Sequence, residues 1–393
     1  MSNIVVSNIK HEPNIIKNNL ASYCNKQYSV PAGAASGLYS EYSLHDIEEL
    51  LTQLGLKRSF INNRRYLGNK YSLSAFIRST VEENCHNVNS VCDIFSGTGA
   101  VANIFRDKRL ITNDLLYSNY ISNYAWFASE AYSQEKIIEK IYEYNQLTTN
   151  ENNYMRINFA DTFFSAEDCS KIGYIREDIE KGYLNKKIFN FKEYAILLTS
   201  LLYAMDKIAN TVGHYDAYRK NAVFDKALVM NVLLPDNELD IDNVCYNMDA
   251  NELIKNIQCD LLYLDPPYNS RQYCDAYHLL ENVARWEKPV VFGVARKMDR
   301  TALKSDYCKI TAATAFEHLI TEAKAKYILL SYNNMSDKGN DRSNAKISDD
   351  NLYRILEGKG KVTVFEADYK SFSTGKSDIK DNKERLFLCE VSG

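Results

Sequence analysis

Between Ser90 and Asp114 the chain reads "SVCDIFSGTGAVANIFRDKRLITND". A short apolar strand runs into the glycine turn "SGTG", helically spaced "AVANIFRDK" follows, and "RLITND" is a second strand that ends in an acid. A strand, a tight turn, a helix and a strand in this order imply parallel strands joined by a crossover helix. The alternation begins near residue 61, continues through a helical stretch over roughly 117–145, and resumes with "VCYNMD", "CDLLYLD" and "KYILLSYN" as three more strands. The C-terminal "KVTVFEADY" and "RLFLCEV" form a hairpin around the basic loop "KSFSTGKSDIKDNKE". No internal repeat or low-complexity tract appears.

The stretch between the two blocks of alternation is polar, Tyr-rich and mainly helical. The expected division is therefore a 1–60 extension, a 61–140 first half of the α/β unit, a 141–235 insertion and a 236–393 second half. In the extension, Ser43 can cap a helix whose apolar stripe is Leu44, Ile47, Leu50, Leu51 and Leu54, and Gly55 stops it. Such a helix packs on a neighbour or touches a ligand surface.

With 393 residues, 45% apolar and 25% charged, the chain can bury a full core, and six prolines and 15 glycines leave little room for disordered linkers. The net charge of -4 marks no global nucleic-acid binder, although a local basic groove is compatible with it. The 29 tyrosines against two tryptophans suit stacking on planar ligands, but the codon bias of an AT-rich genome is the larger cause. Nine cysteines without a C-x-x-C pair argue against zinc and disulfides and for a reducing cytoplasm. The N-terminus lacks a signal-peptide core, and "AILLTSLLYAM" at 195–205 is too short for a membrane span and reads as a buried helix.

Gly97-x-Gly99-x-x-Ala102, with Asp114 at the next strand end, has the form of a dinucleotide fingerprint, and equally of a ligand-free turn. Asp93, followed by Phe95 and Ser96, breaks the apolar run before the first glycine. An acid there can pair with an ammonium group, which S-adenosylmethionine has and NAD lacks. Asp249 closes a third strand where a carboxylate could take an adenine amine, while Asp114 could accept from ribose hydroxyls. Three acids at three strand ends suit an adenosyl amino acid better than a pyrophosphate.

"YLDPPYNSRQY" ends the strand "CDLLYLD". The exocyclic amine of adenine is a poor nucleophile because its lone pair is delocalised into the ring. Asp265 and the carbonyl of Pro266 can accept its two hydrogens. Pro266 and Pro267 fix the turn and remove competing N–H donors, and Tyr268 offers a stacking face. A base in duplex DNA reaches such a turn only when flipped out. Arg271 could then hold a phosphate, while Gln272 or Tyr273 could fill the vacated stack. A strand-terminating Pro-Pro turn is the bland alternative.

With "DPPY" at 265–268 and "DIFSGTG" at 93–99, the chain resembles the S-adenosylmethionine-dependent, adenine-specific DNA methyltransferases of restriction–modification systems. "RRYLGNK" at 64–70 resembles the motif that precedes the cofactor motif in their alpha order. The resemblance covers about residues 61–393. "DPPYNSRQY" and "NTVGHYDAY" (210–218) are similar to a narrower subgroup, and "LGNK" departs from the commoner Gly-Gly-Lys form at Asn69. It implies a class I methyltransferase-like, doubly wound α/β sheet, mostly parallel with a C-terminal antiparallel hairpin, plus a mainly helical target-recognition insertion. It also implies Tyr66, Gly68 and Lys70 beside the cofactor, with Lys70 near the target base. Double-stranded DNA is the implied partner, with a cognate restriction endonuclease as the companion such an enzyme serves.

Other candidates have equal structural readings. His214 and Tyr215 would touch DNA or pack at a helix–loop junction. Asn333 and Asn334 end a strand near the pocket or simply turn the chain. Lys370, Lys376 and Lys380 grip phosphates or line a solvated loop. Glu322-x-Lys324 is a fragment of a nuclease pattern without a strand-borne acid before it. An RNA or guanine-amine methyltransferase, or an idle antirestriction protein, are the rival functions.

Overall fold

The computed structural model describes residues 44–61, 66–68, 70–185, 187–235, 242–333, 345–368 and 383–392. In chain order, helices α1 (Leu44–Gln53) and α2 (Ser74–Asn84) lead into β1 (Ser90–Asp93), α3 (Ala100–Ile104) and β2 (Arg109–Asn113). Five helices follow: α4 (Tyr117–Phe127), α5 (Gln134–Gln146), α6 (Tyr154–Phe159), α7 (Ala166–Leu184) and α8 (Phe191–Ile208). The chain then returns to the sheet through β3 (Val244–Tyr246), α9 (Ala250–Leu253) and β4 (Cys259–Leu264). Helices α10 (Tyr273–Ala276), α11 (His278–Arg285) and α12 (Ala312–Glu322) precede β5 (Ala325–Asn333), and α13 (Asp349–Glu357) precedes the hairpin β6 (Gly360–Asp368) and β7 (Lys383–Val391).

The seven strands lie in the order β3-β2-β1-β4-β5-β7-β6. Pairings from β3 to β5 are parallel, whereas β7 runs antiparallel between β5 and β6. The central strands are buried on both faces, which is why "CDLLYL" is almost continuously apolar instead of alternating. Strand order reverses between β1 and β4. In a doubly wound sheet the ligand crevice lies outside the carboxyl ends of the strands at that reversal. The glycine turn leaves β1 there and the Asp-Pro-Pro-Tyr turn leaves β4.

One helical expectation needs correcting. The stretch 117–145 is two helices, because the chain turns extended at Ala128. The buried ammonium of Lys192 donates to the carbonyls of Tyr124 (3.2 Å), which also takes the Ala128 N–H, and Ala128 (2.6 Å) at the end of α4. Similarly, only Ala100–Ile104 of "AVANIFRDK" is helical.

Helices α4–α8 share a core with α1, through Ile47, Leu50 and Leu51, and with α11, through Leu279, Leu280 and Val283. Position 141 falls inside α5. The apolar run at 195–205 is buried in α8, and among the described residues no helix is long and apolar enough to cross a membrane. Ser43, Asn69, Asn334, Lys370, Lys376 and Lys380 lie outside the described residues.

Candidate active site

The turn after β1 is held from both sides. Gly97 N donates to Asp114 Oδ2 (2.9 Å) and Ser96 N donates to Asn113 O (2.9 Å). Asn123 Nδ2 donates to Ser96 Oγ (3.0 Å) and to Gly97 O (3.1 Å). Gly97 (φ 52°) and Gly99 (φ 79°) occupy the left-handed region. A Cβ on Gly99 would lie 2.6 Å from Asn123 Oδ1 and 2.7 Å from the Phe127 ring.

Asp93 closes β1 with 2% of its surface exposed and one carboxylate oxygen, Oδ1, without a hydrogen-bond partner. Burial, with the negative charges of Asp265 and Asp114 nearby, holds its carboxyl well above the usual range. Burial pushes Asp114 up to about 6, against the hydrogen bonds it accepts from Leu116, Asn119 and Gly97. Asp249 caps α9, accepting from Asn251 N at 2.8 Å through Oδ1. Phe95 meets the edge of Tyr307 at 5.0 Å between ring centroids.

Tyr66 stacks on Tyr277 (4.5 Å) and on Tyr273 (5.3 Å), and its hydroxyl accepts from Asn119 Nδ2 (2.9 Å). Tyr277 Oη accepts from Leu67 N (2.7 Å), and the Tyr273 hydroxyl donates to Leu67 O (3.2 Å). These contacts fasten the Tyr66–Gly68 segment over the crevice. Tyr66, Gly68, Lys70, Asp93, Phe95, Ser96, Gly97, Asp114, Asp249, Asp265 and Pro267 all line one pocket. Gly99 lies behind its wall.

At the floor, Lys70 Nζ sits 3.0 Å from Asp265 Oδ1 and 3.2 Å from Glu384 Oε1. Lys70 is 7% exposed and Glu384 6%. Ser331 Oγ donates to Glu384 Oε1 at 2.8 Å. Burial works to lower the Lys70 pKa, but the two carboxylates outweigh it and hold the ammonium well above its ordinary value. Burial raises Asp265 to about 6, with Lys70 restraining the rise and Glu384 adding to it. Pro266 is buried. Tyr268 is braced from behind: its carbonyl accepts from Lys346 N (2.7 Å), and Tyr332 meets its ring edge-on at 6.2 Å.

Sequence reasoning missed Glu384 and Ser331. Glu384 is the second residue of β7, whose middle, Leu386–Cys389, is apolar, so a charge next to that apolar run was the available signal. The tail after the turn also differs from expectation. Gln272 is committed to Ser305, with Nε2 donating to Ser305 O (3.0 Å) and Oε1 accepting from Ser305 N (2.8 Å). Tyr273 lines the pocket under Tyr66. Neither presents a free side chain to an outside ligand, because both fasten neighbouring segments to the crevice wall. Tyr215, 2% exposed, packs on Phe163 and donates its hydroxyl to Asp206 Oδ1 (2.7 Å). It is a core residue and not a surface contact.

Arg271 is exposed. His214, half-buried, lies 3.4 Å from Asp216, and burial lowers its pKa, helped by the positive charges of Arg271 and Lys297. Asn333 is buried, and its carbonyl accepts from Arg385 Nη2 (2.9 Å). Glu322 ends α12 and Lys324 immediately precedes β5, at the strand end away from the crevice.

A doubly wound sheet that sets a glycine cradle and an acid-Pro-Pro-aromatic turn side by side at its strand-order reversal is a class I methyltransferase scaffold. Residues 66–341 match the family of D12 class N6 adenine-specific DNA methyltransferases, and the chain belongs to that family. It is 33% identical over 341 residues to modification methylase StsI of Streptococcus sanguinis, covering 81% of this chain and 50% of that protein. It is 32% identical to type II methyltransferase M.FokI of Planomicrobium okeanokoites, covering 83% and 52%. Against type II methyltransferase M.NlaIII of Neisseria lactamica it is 33% identical, covering 81% and 95%. The chain thus spans about half the length of the first two relatives and nearly all of the third.

Proposed function

We propose that this protein transfers a methyl group from S-adenosylmethionine to the exocyclic amine of a flipped-out adenine in a specific double-stranded DNA sequence. We assign it as the cytoplasmic, protective half of a restriction–modification system. The observation that carries the reading is Asp265, held by Lys70 at the end of β4, beside the glycine cradle that leaves neighbouring β1.

The cradle fits the cofactor chemically. The unpartnered Asp93 Oδ1 suits an ammonium group, and the absence of a Cβ at Gly99, which would collide with Asn123 and Phe127, lets the turn pack closely. Asp114 keeps lone pairs for ribose hydroxyls, and Asp249 keeps its second oxygen for an adenine amine. When bound, S-adenosylmethionine supplies an electrophilic methyl on a sulfonium. Asp265 and Pro266 O accept the two amine hydrogens of the target base, so that its lone pair points at that methyl, and Tyr268 stacks on the ring. Lys70 keeps Asp265 ionised and in place, and Glu384 and Ser331 hold Lys70. The helical layer of 141–235, with Arg271 and His214 at its margin, is where we place target recognition.

Tritium transfer from labelled cofactor to duplex DNA and to RNA, followed by sequencing of the methylated adenines, tests the reading. Label in RNA alone, or in guanine, would sink it. Asp265 and Asp114 are both pushed up to about 6, and each is a much stronger acceptor when ionised. Turnover and cofactor affinity should therefore both fall as pH drops through about 6. Separate pH series of kcat and of cofactor Kd check this, and an acid limb centred near 4 in both would contradict it.

Glu384→Gln removes a charge that raises Asp265. The acid limb of kcat should move to lower pH while cofactor Kd stays within about threefold. An unmoved limb would leave Glu384 a packing residue only.

A further inference from the structure

Residues Pro289–Arg300 form a hairpin closed by the antiparallel bridge Phe292↔Lys297, with Phe292 N donating to Lys297 O at 2.7 Å and Lys297 N to Phe292 O at 2.9 Å. Its outer face is apolar and bare: Val290 is 73% exposed, Phe292 61% and Val294 76%. A lone exposed apolar side chain is ordinary, but three on one small hairpin form a patch that calls for a partner.

The two feet of the hairpin are tied to different parts of the protein. On one side, Tyr154 donates its hydroxyl to Pro289 O (2.7 Å) and Lys288 pairs with Glu177 (2.6 Å), both on the helical layer. On the other, Arg300 pairs with Asp275 (2.6 Å) on α10, directly behind the Asp-Pro-Pro-Tyr turn, and Lys297 pairs with Asp216 (2.5 Å). The chain then continues into Leu303 and Ser305, which line the pocket. The hairpin is therefore a braced projection whose root is the pocket wall.

Charge indicates the occupant. Arg296 at the hairpin turn, Lys304 below it and Arg271 beside His214 are exposed, and they make no ion pair among the described residues. An apolar tip with unpaired cations around it matches stacked bases between phosphates, and it suits neither a lipid interior nor an apolar protein face.

We propose that this hairpin is a wedge that enters the base stack of duplex DNA next to the target, with Phe292 occupying the room left by the flipped base. The inference rests on the DNA-methyltransferase reading above. Gln272 and Tyr273, the expected stack-fillers, are engaged in the pocket wall, which leaves the hairpin to do this. Opening a base pair is the cost the wedge offsets, so its loss matters only where the target is paired.

The test uses the full chain and duplexes carrying the adenine that methylation sequencing identifies, either paired with thymine or opposite an abasic site. The double variant Phe292→Ala, Val294→Ala should slow single-turnover transfer about ten- to a hundred-fold on the paired duplex. Opposite the abasic site it should be close to wild type, and Phe292→Leu should retain most of the rate on both duplexes. Equal slowing on both duplexes, or none on either, overturns the wedge. A wild type that sediments as a dimer while the double variant is monomeric overturns it too, assigning the patch to a second copy of the chain. If the wild type methylates neither duplex, the underlying reading falls first and the wedge with it.

Discussion

Asp265→Ala is expected to lower methyl transfer at least about a thousand-fold while cofactor affinity changes little. The two effects separate because the two halves of the pocket hang on different strands. The cradle is fastened to the end of β2 through Asn113 and Asp114 and to α4 through Asn123, and none of these hydrogen bonds passes through Asp265. The carboxylate itself is aimed by Lys70 at 3.0 Å. Removing it takes away the acceptor that polarises the amine and leaves the lone pair in the ring. Lys70 keeps Glu384 at 3.2 Å, so the alanine variant should fold. Single-turnover transfer and calorimetric cofactor binding read the two quantities. Adenine methylation within tenfold of wild type would falsify the proposed chemistry.

Lys70→Met should have the second-largest effect, and on stability as well as rate. Lys70 is 7% exposed and balances two carboxylates, Glu384 buried and Asp265 half-buried. Removing the cation from a buried cluster typically costs about 3–5 kcal/mol, because the remaining charges are left without compensation. Lys70 is also the group that restrains the Asp265 pKa, which already stands at about 6. In the variant Asp265 should rise further and lose acceptor character at neutral pH. Transfer should therefore be low at pH 7 and recover in part as the pH is raised. Adding Glu384→Gln to Lys70→Met should return much of the lost stability by removing the repulsion, a coupling that a double-mutant cycle in urea measures directly. A Lys70→Met protein as stable as wild type would mean the cluster carries no net charge balance.

Much of this architecture is legible in the sequence. The strand-turn-helix at 90–114 and the apolar run ahead of Asp265 are local patterns, written by backbone preference and by burial on two faces. Patterns of the same kind marked all seven strands of the main sheet and both chemical turns. The break at Ala128 was not legible, because it depends on Lys192, which lies far along the chain and delivers its ammonium to that helix end. From "GHYDAY" alone, Tyr215 could touch DNA or pack at a helix–loop junction on equal terms. Only the packing of Phe163 and the acceptor Asp206 show it to be a core residue.

The sequence by itself determined which groups could do the chemistry: the acids at three strand ends, the donor-free Pro-Pro turn and the glycines whose positive φ the cradle needs. Those properties belong to single residues and their immediate neighbours. Tertiary structure decided what those groups experience. Inserting β7 antiparallel beside β5 brings Glu384 to Ser331 and Lys70, and that distant carboxylate helps set the charge on Asp265. Propensity and periodicity act over a few residues, whereas desolvation and Coulomb interaction depend on which segments share a dielectric boundary. That sharing exists only once the sheet has closed.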